Sequence, residues 1–498
     1  MSANQIHSPL LADVVGVLDR TIALYDGRSS VEHLRQVRSR IDEPLRVAIA
    51  GKVKAGKSTL LNALVGEELA PTDEGECTRI VTWYRNGITY RVTLVPWSGA
   101  PQQVPFTRDQ GAIEVQLGNF RPDDVANLTV DWPTASLARI TLVDTPGIAS
   151  LSTDVSARTH AFLTPDNDEP APADAVLYLM RHLHSTDINF LEAFHEEEFA
   201  QPSPVNAIAV LSRADEIGVG RIDSMTSADR IARRYRDDPK VRRLVQTVTP
   251  VAGLLAQSGS TLRESDFRAL AVLAEADRND VDLLFLSADR FGHGSTAVPL
   301  DTEVRQELLS RLGLFGVRLS TAFIRAGRAT NATQLARLLV ERSGLNELRK
   351  VLLSQFAARA DVLKARSALL ALDRVLQTDP VPEAKALAAE VERVHAGAHD
   401  FAELRLLNAL RIGHINMREE ETRQMERLLG AEGTTPTERL GLDENASEAE
   451  IREALAQMIG RWQRRAENPI STRPVAEASR VLVRTCEGLY ATLAARAG

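Results

Sequence analysis

The sequence predicts a doubly wound α/β domain with a mixed sheet, joined to an all-α bundle made of N- and C-terminal helices. Three observations predict this fold. A glycine-rich loop follows an apolar run at residues 45–50, apolar runs alternate with helical ones to about residue 290, and only helical patterns continue beyond Thr302. With 498 residues, the chain is too long for one ordinary core. We expect bundle helices at 1–44, a nucleotide-binding domain at 45–300, and a bundle neck or stalk at 301–498.

The helices of the first unit are recognised by their apolar spacing. Leu11, Val14 and Leu18 recur at steps of three and four residues, and Leu34, Val37 and Ile41 repeat the pattern. An apolar stripe of this kind must be covered in the folded protein. We therefore expect helices from later in the chain to pack against it.

The loop at residues 51–58 has the phosphate-binding pattern G-x-x-x-x-G-K-[ST], with a strand before it and a helix after it. In such loops, backbone N–H groups surround the β-phosphate. We expect Lys57 to reach the β- and γ-oxygens and the Ser58 hydroxyl to ligate Mg²⁺. Residues 59–65 are typical of the helix whose N-terminus faces the phosphates. The chain is thus expected to bind a nucleoside triphosphate with Mg²⁺.

A second motif, D-x-x-G at residues 144–147, ends another apolar strand. Asp144 is expected to hold Mg²⁺ through a water molecule, and the Gly147 N–H to meet the γ-phosphate. Between the two motifs, residues 71–79 fit a first switch segment. Thr78 is our candidate to complete the Mg²⁺ shell there, and Thr72 is the alternative.

The choice of base is predicted by a third motif. Residues 212–215, Ser-Arg-Ala-Asp, follow an apolar strand and are a variant of N/T-K-x-D. The Asp215 carboxylate can accept hydrogen bonds from guanine N1–H and the N2 amine, and adenine offers no such pair. Arg213 replaces the usual lysine and has a planar head that can stack on the base, while Ala252 is expected to touch guanine from the other side. The alternative is a solvated acidic turn; the favoured interpretation is GTP.

The residue after D-x-x-G is Ile148, where Ras-type GTPases have a glutamine that orients the attacking water. Another residue must therefore assist hydrolysis. One hypothesis is that Lys54 supplies positive charge to the transition state from within the loop. The alternative is a solvated lysine on the loop rim. The catalytic candidates are Lys54, Lys57, Thr78 and Gly147. The candidate nucleotide contacts are Gly51, Lys54, Ala55, Gly56, Lys57, Ser58, Thr59, Asp144, Gly147, Ser212, Arg213, Asp215 and Ala252.

Composition limits the remaining classes of function. The net charge of −8 and pI near 5.8 give no overall attraction to nucleic acid or anionic lipid, so no nucleic-acid partner is expected. Cys77 and Cys486 fit no metal or redox spacing, which suits a reducing cytosol. No run is long enough to span a bilayer, and no secretory signal is evident. We expect a cytoplasmic protein that meets the inner face of the cell membrane peripherally.

Five segments carry a resemblance to a known family: residues 54–60, 70–73, 78–83, 144–147 and 212–218. On these, the chain resembles the dynamin superfamily, and within it the isoniazid-inducible dynamin-like proteins of mycobacteria. The resemblance implies a GTPase head on a helical neck and stalk. It also implies a homodimer through the GTPase domains or a hetero-assembly with a related dynamin-like protein.

The same resemblance implies membrane remodelling or maintenance under envelope stress, with peripheral contact to anionic membrane. The alternative is a GTP-dependent switch or partner subunit of another dynamin-like protein, with no remodelling activity of its own. One departure concerns catalysis. Eukaryotic dynamins have Gln and Ser where this chain has Val53 and Lys54, so their cation-dependent catalysis does not carry over.

Overall fold

The computed structural model describes residues 8–70, 80–109, 112–146, 173–196, 206–415 and 417–497. Its strands are β1 (Leu45–Gly51), β2 (Thr82–Asn86), β3 (Arg91–Pro96), β4 (Gln102–Val104), β5 (Phe106–Asp109), β6 (Ala112–Val115), β7 (Val125–Trp132), β8 (Ile140–Asp144), β9 (Ala175–Met180), β10 (Ala207–Ser212) and β11 (Val248–Val251). Nine of them form one sheet in the order β11-β10-β9-β1-β8-β2-β7-β3-β4, and β5 and β6 pair separately. Strands β1, β8, β9, β10 and β11 run parallel, whereas β2 is antiparallel to β8. The predicted mixed sheet is confirmed.

Twenty α-helices surround and extend this sheet in the described residues. They are α1 (Pro9–Leu24), α2 (Val31–Ile41), α3 (Lys57–Val65), α4 (Ser185–Glu196), α5 (Ser224–Asp237), α6 (Pro239–Arg242), α7 (Gly253–Ser260), α8 (Glu264–Glu275), α9 (Arg278–Leu284), α10 (Ala288–His293), α11 (Thr302–Arg325), α12 (Ala332–Arg342), α13 (Leu345–Val351), α14 (Ala360–Thr378), α15 (Ala384–Gly397), α16 (His399–Arg411), α17 (Glu419–Leu428), α18 (Pro436–Leu440), α19 (Glu448–Glu467) and α20 (Arg473–Ala497). None of the described helices is both long and apolar enough to cross a bilayer.

Both faces of the sheet are covered, as the sequence of β1 shows. Val47 and Ile49 point into one apolar cluster with α3, and the alternating Ala48 and Ala50 point into another with α5. Successive side chains of a strand face opposite sides, so a strand buried on both faces has a continuous apolar run. This burial fixes the end of β1, and with it the start of the phosphate loop.

The N-terminal helices pack against helices from the C-terminal half. Leu11, Leu18 and Leu34 share a buried cluster with Leu369 and Leu372 of α14, and α15 closes the same cluster. The predicted bundle of N- and C-terminal helices is therefore confirmed. A second bundle further along the chain contains α16 to α20, with the buried Trp462 at its centre.

Helices α11 and α12 lie on the α/β layer. Leu312 and Phe315 of α11 share a buried cluster with Ala252 and Leu255, beside β11 and α7. The predicted domain boundary between residues 300 and 301 therefore separates α11 from α7, although the two helices share one apolar core. The division into three units stays a prediction.

The helical segment between Leu345 and Thr378 is interrupted. Residues Leu352–Phe356 form a π-helix and Ala357–Arg359 a 3₁₀ turn. Leu345 and Leu348 join the core of the sheet, and so do Phe356 and Leu363 within and beyond the interruption, whereas Leu369 and Leu372 join the N-terminal bundle. A π-turn inserts a residue and rotates the apolar stripe, and here the stripe stays in the core of the sheet as far as Leu363.

Candidate nucleotide site

Two glycines shape the loop between β1 and α3. Gly51 has φ of +147°, and a Cβ there would lie 2.5 Å from the Leu179 carbonyl oxygen in β9, so the position needs glycine. Gly56 is left-handed, with φ of +92°, and begins α3. The loop thus combines a left-handed turn with a helix N-terminus, two features that bind anions.

Lys57 lies over this loop at the start of α3. Its Nζ donates to the Gly51 carbonyl oxygen at 3.2 Å and to that of Lys52 at 3.3 Å. Burial lowers the pKa of Lys57, and the nearby Asp144 carboxylate opposes the shift. The ammonium is therefore held at the mouth of the loop, where a phosphate would replace the two carbonyl oxygens as its partner.

Ser58 and Asp144 meet beside the loop because β1 pairs in parallel with β8, placing Asp144 opposite Ile49. The Ser58 Oγ donates to Asp144 Oδ2 at 3.2 Å. The other oxygen, Oδ1, is buried and has no hydrogen-bond partner among the described residues. Burial raises the pKa of Asp144 to about 6, against the effects of Lys57 and Ser58. A hydroxyl and a carboxylate with a free oxygen suit Mg²⁺.

Part of the predicted metal and γ-phosphate site cannot be compared with the structure. Thr78, its alternative Thr72, Gly147 and Ile148 lie outside the described residues. Their assigned roles stay predictions.

A cleft of about 560 Å³ opens between the phosphate loop and the ends of β10 and β11. Of the predicted nucleotide contacts, the cleft is lined by Ala55, Gly56, Thr59, Ser212, Arg213 and Asp215. Gly253, which follows Ala252 after β11, also lines the cleft. Sequence reasoning missed Leu179 and Leu254, which line it as well. The predicted phosphate and base motifs are thus neighbours across one cleft.

Asp215 sits in this cleft with 8% of its surface exposed. Burial raises the pKa of Asp215 to about 6. No side chain among the described residues donates a hydrogen bond to this carboxylate. A desolvated carboxylate without a side-chain donor gains most from a ligand that brings two N–H donors, as the guanine edge does.

Two other predicted base contacts have protein partners. Arg213 has a left-handed backbone, with φ of +51°, and its guanidinium pairs with Glu216 at 2.7 Å. Ala252 is buried, and its N–H donates to the Ser343 carbonyl oxygen at 2.9 Å. Arg213 lines the cleft, whereas Ala252 is not among its lining residues. The stacking of Arg213 and the guanine contact of Ala252 stay predictions.

The phosphate loop is also held by an ion pair that sequence reasoning missed. Lys52 Nζ lies 3.1 Å from the Asp187 carboxylate, which accepts from the Tyr178 hydroxyl at 2.8 Å and from the His184 N–H at 2.9 Å. Asp187 is buried at the start of α4. A carboxylate that accepts from the backbone N–H three residues before it is typical of a helix cap. This spacing at the start of a helix was the available sequence signal. Lys54, by contrast, is exposed, with an uncommon φ of +61°.

Comparison with known proteins decides the family. The family model of the dynamin family matches residues 47–197. Over 490 residues, the chain is 41% identical to the isoniazid-induced protein IniC of Mycobacterium tuberculosis, covering 97% of this chain and 99% of IniC. This chain belongs to the dynamin family.

Two further dynamin-family relatives match over shorter stretches. The bacterial dynamin-like protein of Nostoc punctiforme is 33% identical over 148 residues, 27% of this chain and 20% of the relative. The isoniazid-induced protein IniA of M. tuberculosis is 30% identical over 173 residues, 33% of this chain and 26% of IniA. The predicted resemblance to isoniazid-inducible dynamin-like proteins is confirmed. Dynamin-family membership implies a GTPase.

Proposed function

We propose that this chain binds and hydrolyses GTP with Mg²⁺ and couples hydrolysis to movement of its helical bundles in membrane remodelling or maintenance under envelope stress. The observation that carries the GTP assignment is Asp215, a buried carboxylate without a side-chain donor among the described residues, in a cleft that continues into the phosphate loop. Its geometry favours a base with two adjacent N–H donors.

Residues on the loop side would hold the phosphates and the metal. Lys57 and the amides of the loop would bind the β- and γ-phosphates, Ser58 would ligate Mg²⁺ directly, and Asp144 would do so through water. Thr78 and the Gly147 N–H are the proposed partners on the switch side. When bound, Mg²⁺ neutralises charge that develops between the β- and γ-phosphates.

Lys54 is proposed to stabilise the transition state from its exposed position on the loop. We expect Lys54→Ala to lower kcat by about 10- to 100-fold and to leave the Kd for GTP within about twofold, because a charge used mainly in the transition state contributes little to ground-state binding. Single-turnover hydrolysis and fluorescence titration of the nucleotide measure the two quantities. Val53→Ala, at the neighbouring exposed position, is the matched control. Equal kcat for the wild type and Lys54→Ala would leave Lys54 as a solvated side chain.

The coupling of the site to the bundles is supported by a chain of contacts. Arg349 of α13 donates to the carbonyl oxygens of Ala63 and Leu64, at 3.0 and 3.4 Å, and thereby caps the C-terminus of α3. Beyond α13 the π-helix follows, and its Gln355 donates to the carbonyl oxygens of Gly430 and Ala431 after α17. Helix α3, at whose N-terminus the phosphates would bind, is thus joined through residues 345–356 to the second bundle, formed by α16 to α20.

The fold also bears on which loop would meet membrane. The loop that follows α16 does not suit lipid contact, because Arg411 and Ile415 are buried, and the Arg411 guanidinium donates to the carbonyl oxygens of Val245 and Gln246. This segment joins the bundle to the α/β domain. Ile470, in the turn between α19 and α20, is 90% exposed. The exposed Arg464 and Arg473 lie on either side of it in sequence. We propose this turn as the site of contact with anionic lipid.

A liposome assay tests the membrane part. With anionic vesicles and GTP, we expect the wild type to co-sediment and Ile470→Ser to bind at least about fivefold less, since the substitution removes the apolar side chain that would enter the lipid. Ile88→Ser is the matched control, because Ile88 is equally exposed but lies in the turn between β2 and β3. No sedimentation of the wild type until a related dynamin-like protein is added would support the alternative, a partner subunit without remodelling activity of its own.

A further inference from the structure

Helix α11 is broken within its length. Gly313 has φ of +62° and ψ of 169°, while the residues on both sides continue as helix. This combination is essentially confined to glycine, because a side chain would clash with the backbone. Strain of this kind is costly for other residues and often marks a functional constraint.

The break lies against the base side of the cleft. A Cβ on Gly313 would be 3.9 Å from Asp215 Oδ2 and 3.4 Å from Leu254 Cδ2. Asp215 and Leu254 both line the cleft, from the ends of β10 and β11. The backbone at the break therefore touches the two walls between which a base would lie, and no side chain of its own intrudes.

The part of α11 after the break holds the chain that follows Asp215. Arg318 donates to the carbonyl oxygens of Val219 and Gly220, at 3.2 and 2.6 Å. Gly220 is left-handed, with φ of +65°, and approaches so closely that a Cβ would lie 3.4 Å from the Phe315 backbone nitrogen. The loop that carries the base-reading carboxylate is thus fixed to the second part of α11.

The part before the break holds the opposite wall. The Ser258 hydroxyl contacts the Arg311 carbonyl oxygen and also donates to the Leu254 carbonyl oxygen at 2.8 Å. If α11 were continuous, its two parts could not keep both sets of contacts, because a change at Gly313 would swing one part relative to the other. The spacing between Asp215 and Leu254 therefore depends on the backbone at one residue.

We propose that the break at Gly313 is a specificity-determining positioning element, which sets the Asp215 carboxylate at the distance that reads the guanine N2 amine. This inference rests on the proposed binding of GTP. Gly313 has no side chain that could contact the base, so it acts only through the position of Asp215.

The test compares GTP with inosine triphosphate, whose base keeps N1–H and lacks the N2 amine. We expect Gly313→Ala to lower the affinity for GTP by about 10- to 100-fold and to bring the ratio of the two affinities close to one, because the displaced carboxylate loses its contact with the N2 amine, the group by which the two bases differ. Gly327→Ala is the matched control: Gly327, just after α11, has φ of +67° and open space around its Cβ position. Gly327→Ala should lower the stability of the fold as Gly313→Ala does, but its ratio of GTP to inosine triphosphate affinity should equal that of the wild type.

Arg318→Gln provides a second variant that leaves the glycine intact. It removes the hydrogen bonds to the carbonyl oxygens of Val219 and Gly220, and we expect it to lower the same affinity ratio. It serves as the test if Gly313→Ala does not fold. If a folded Gly313→Ala protein kept the wild-type ratio of GTP to inosine triphosphate affinity, the inference would be overturned and the proposed function would stand. If Gly313→Ala did not fold, the same ratio measured in Arg318→Gln would decide in the same way. A wild-type protein that does not prefer GTP to ATP would overturn the proposed function as well.

Discussion

Replacing Asp215 with asparagine is expected to change the preferred base. Affinity for GTP should fall by about 1,000-fold, because the buried amide offers guanine a donor where an acceptor is needed and leaves polar groups unpaired. Affinity for xanthosine triphosphate should rise, since its C2 carbonyl accepts from the asparagine N–H₂. Competition of each nucleotide against a fluorescent analogue measures both changes.

The neighbouring Glu216 supplies the control. It also lines the cleft, but it is exposed and paired with Arg213 and Arg181. Glu216→Gln should keep the preference for GTP within about threefold, because rim charges contribute little to affinity. Loss of GTP preference in Glu216→Gln with none in Asp215→Asn would show that the base is read at a different carboxylate.

Replacing Lys57 with methionine is expected to remove nucleotide binding and hydrolysis. Lys57 is the cation placed over the loop, and loss of one such group lowers hydrolysis by about 10²- to 10³-fold or more. Its burial, which lowers its pKa, means that the fold gains little from the charge. A neutral side chain of similar length should leave the free energy of unfolding unchanged or raise it.

Thermal unfolding separates this result from simple misfolding. We expect Lys57→Met to unfold at the wild-type temperature or above without nucleotide, and to show no stabilisation when GTP and Mg²⁺ are added. Hydrolysis by a folded Lys57→Met protein at more than a tenth of the wild-type rate would contradict the assigned role.

The sequence was most informative where chemistry depends on contiguous residues. The phosphate loop at 51–58 and the motifs that begin at Asp144 and Ser212 each follow a buried strand. Parallel strands bring their carboxyl ends to one edge of a sheet. Local pattern was therefore enough to predict that these motifs share a site.

Features set by distant contacts were not predicted. Strand β7 inserts between β2 and β3, and only this pairing shows that the sheet extends to β4 on that side. The π-turn at 352–356 lies in a stretch that packs into the core of the sheet on both sides, from Leu348 to Leu363, and no local pattern shows that contact. The left-handed Gly313 sits in a run with ordinary helical periodicity, so no local signal distinguished it from a surface glycine. The spacing that makes Asp187 a helix cap is a local signal that the sequence analysis missed, and its partner Lys52 has no local signal.

Asp215 and the loop around Lys57 together are expected to select GTP. Isothermal titration of the wild-type protein with GTP and with ATP, each in the presence of Mg²⁺, tests it most directly. We expect binding of GTP at one site per chain and a preference over ATP of about 10³-fold or more. Equal affinity for the two nucleotides, or no heat with either, would contradict the claim.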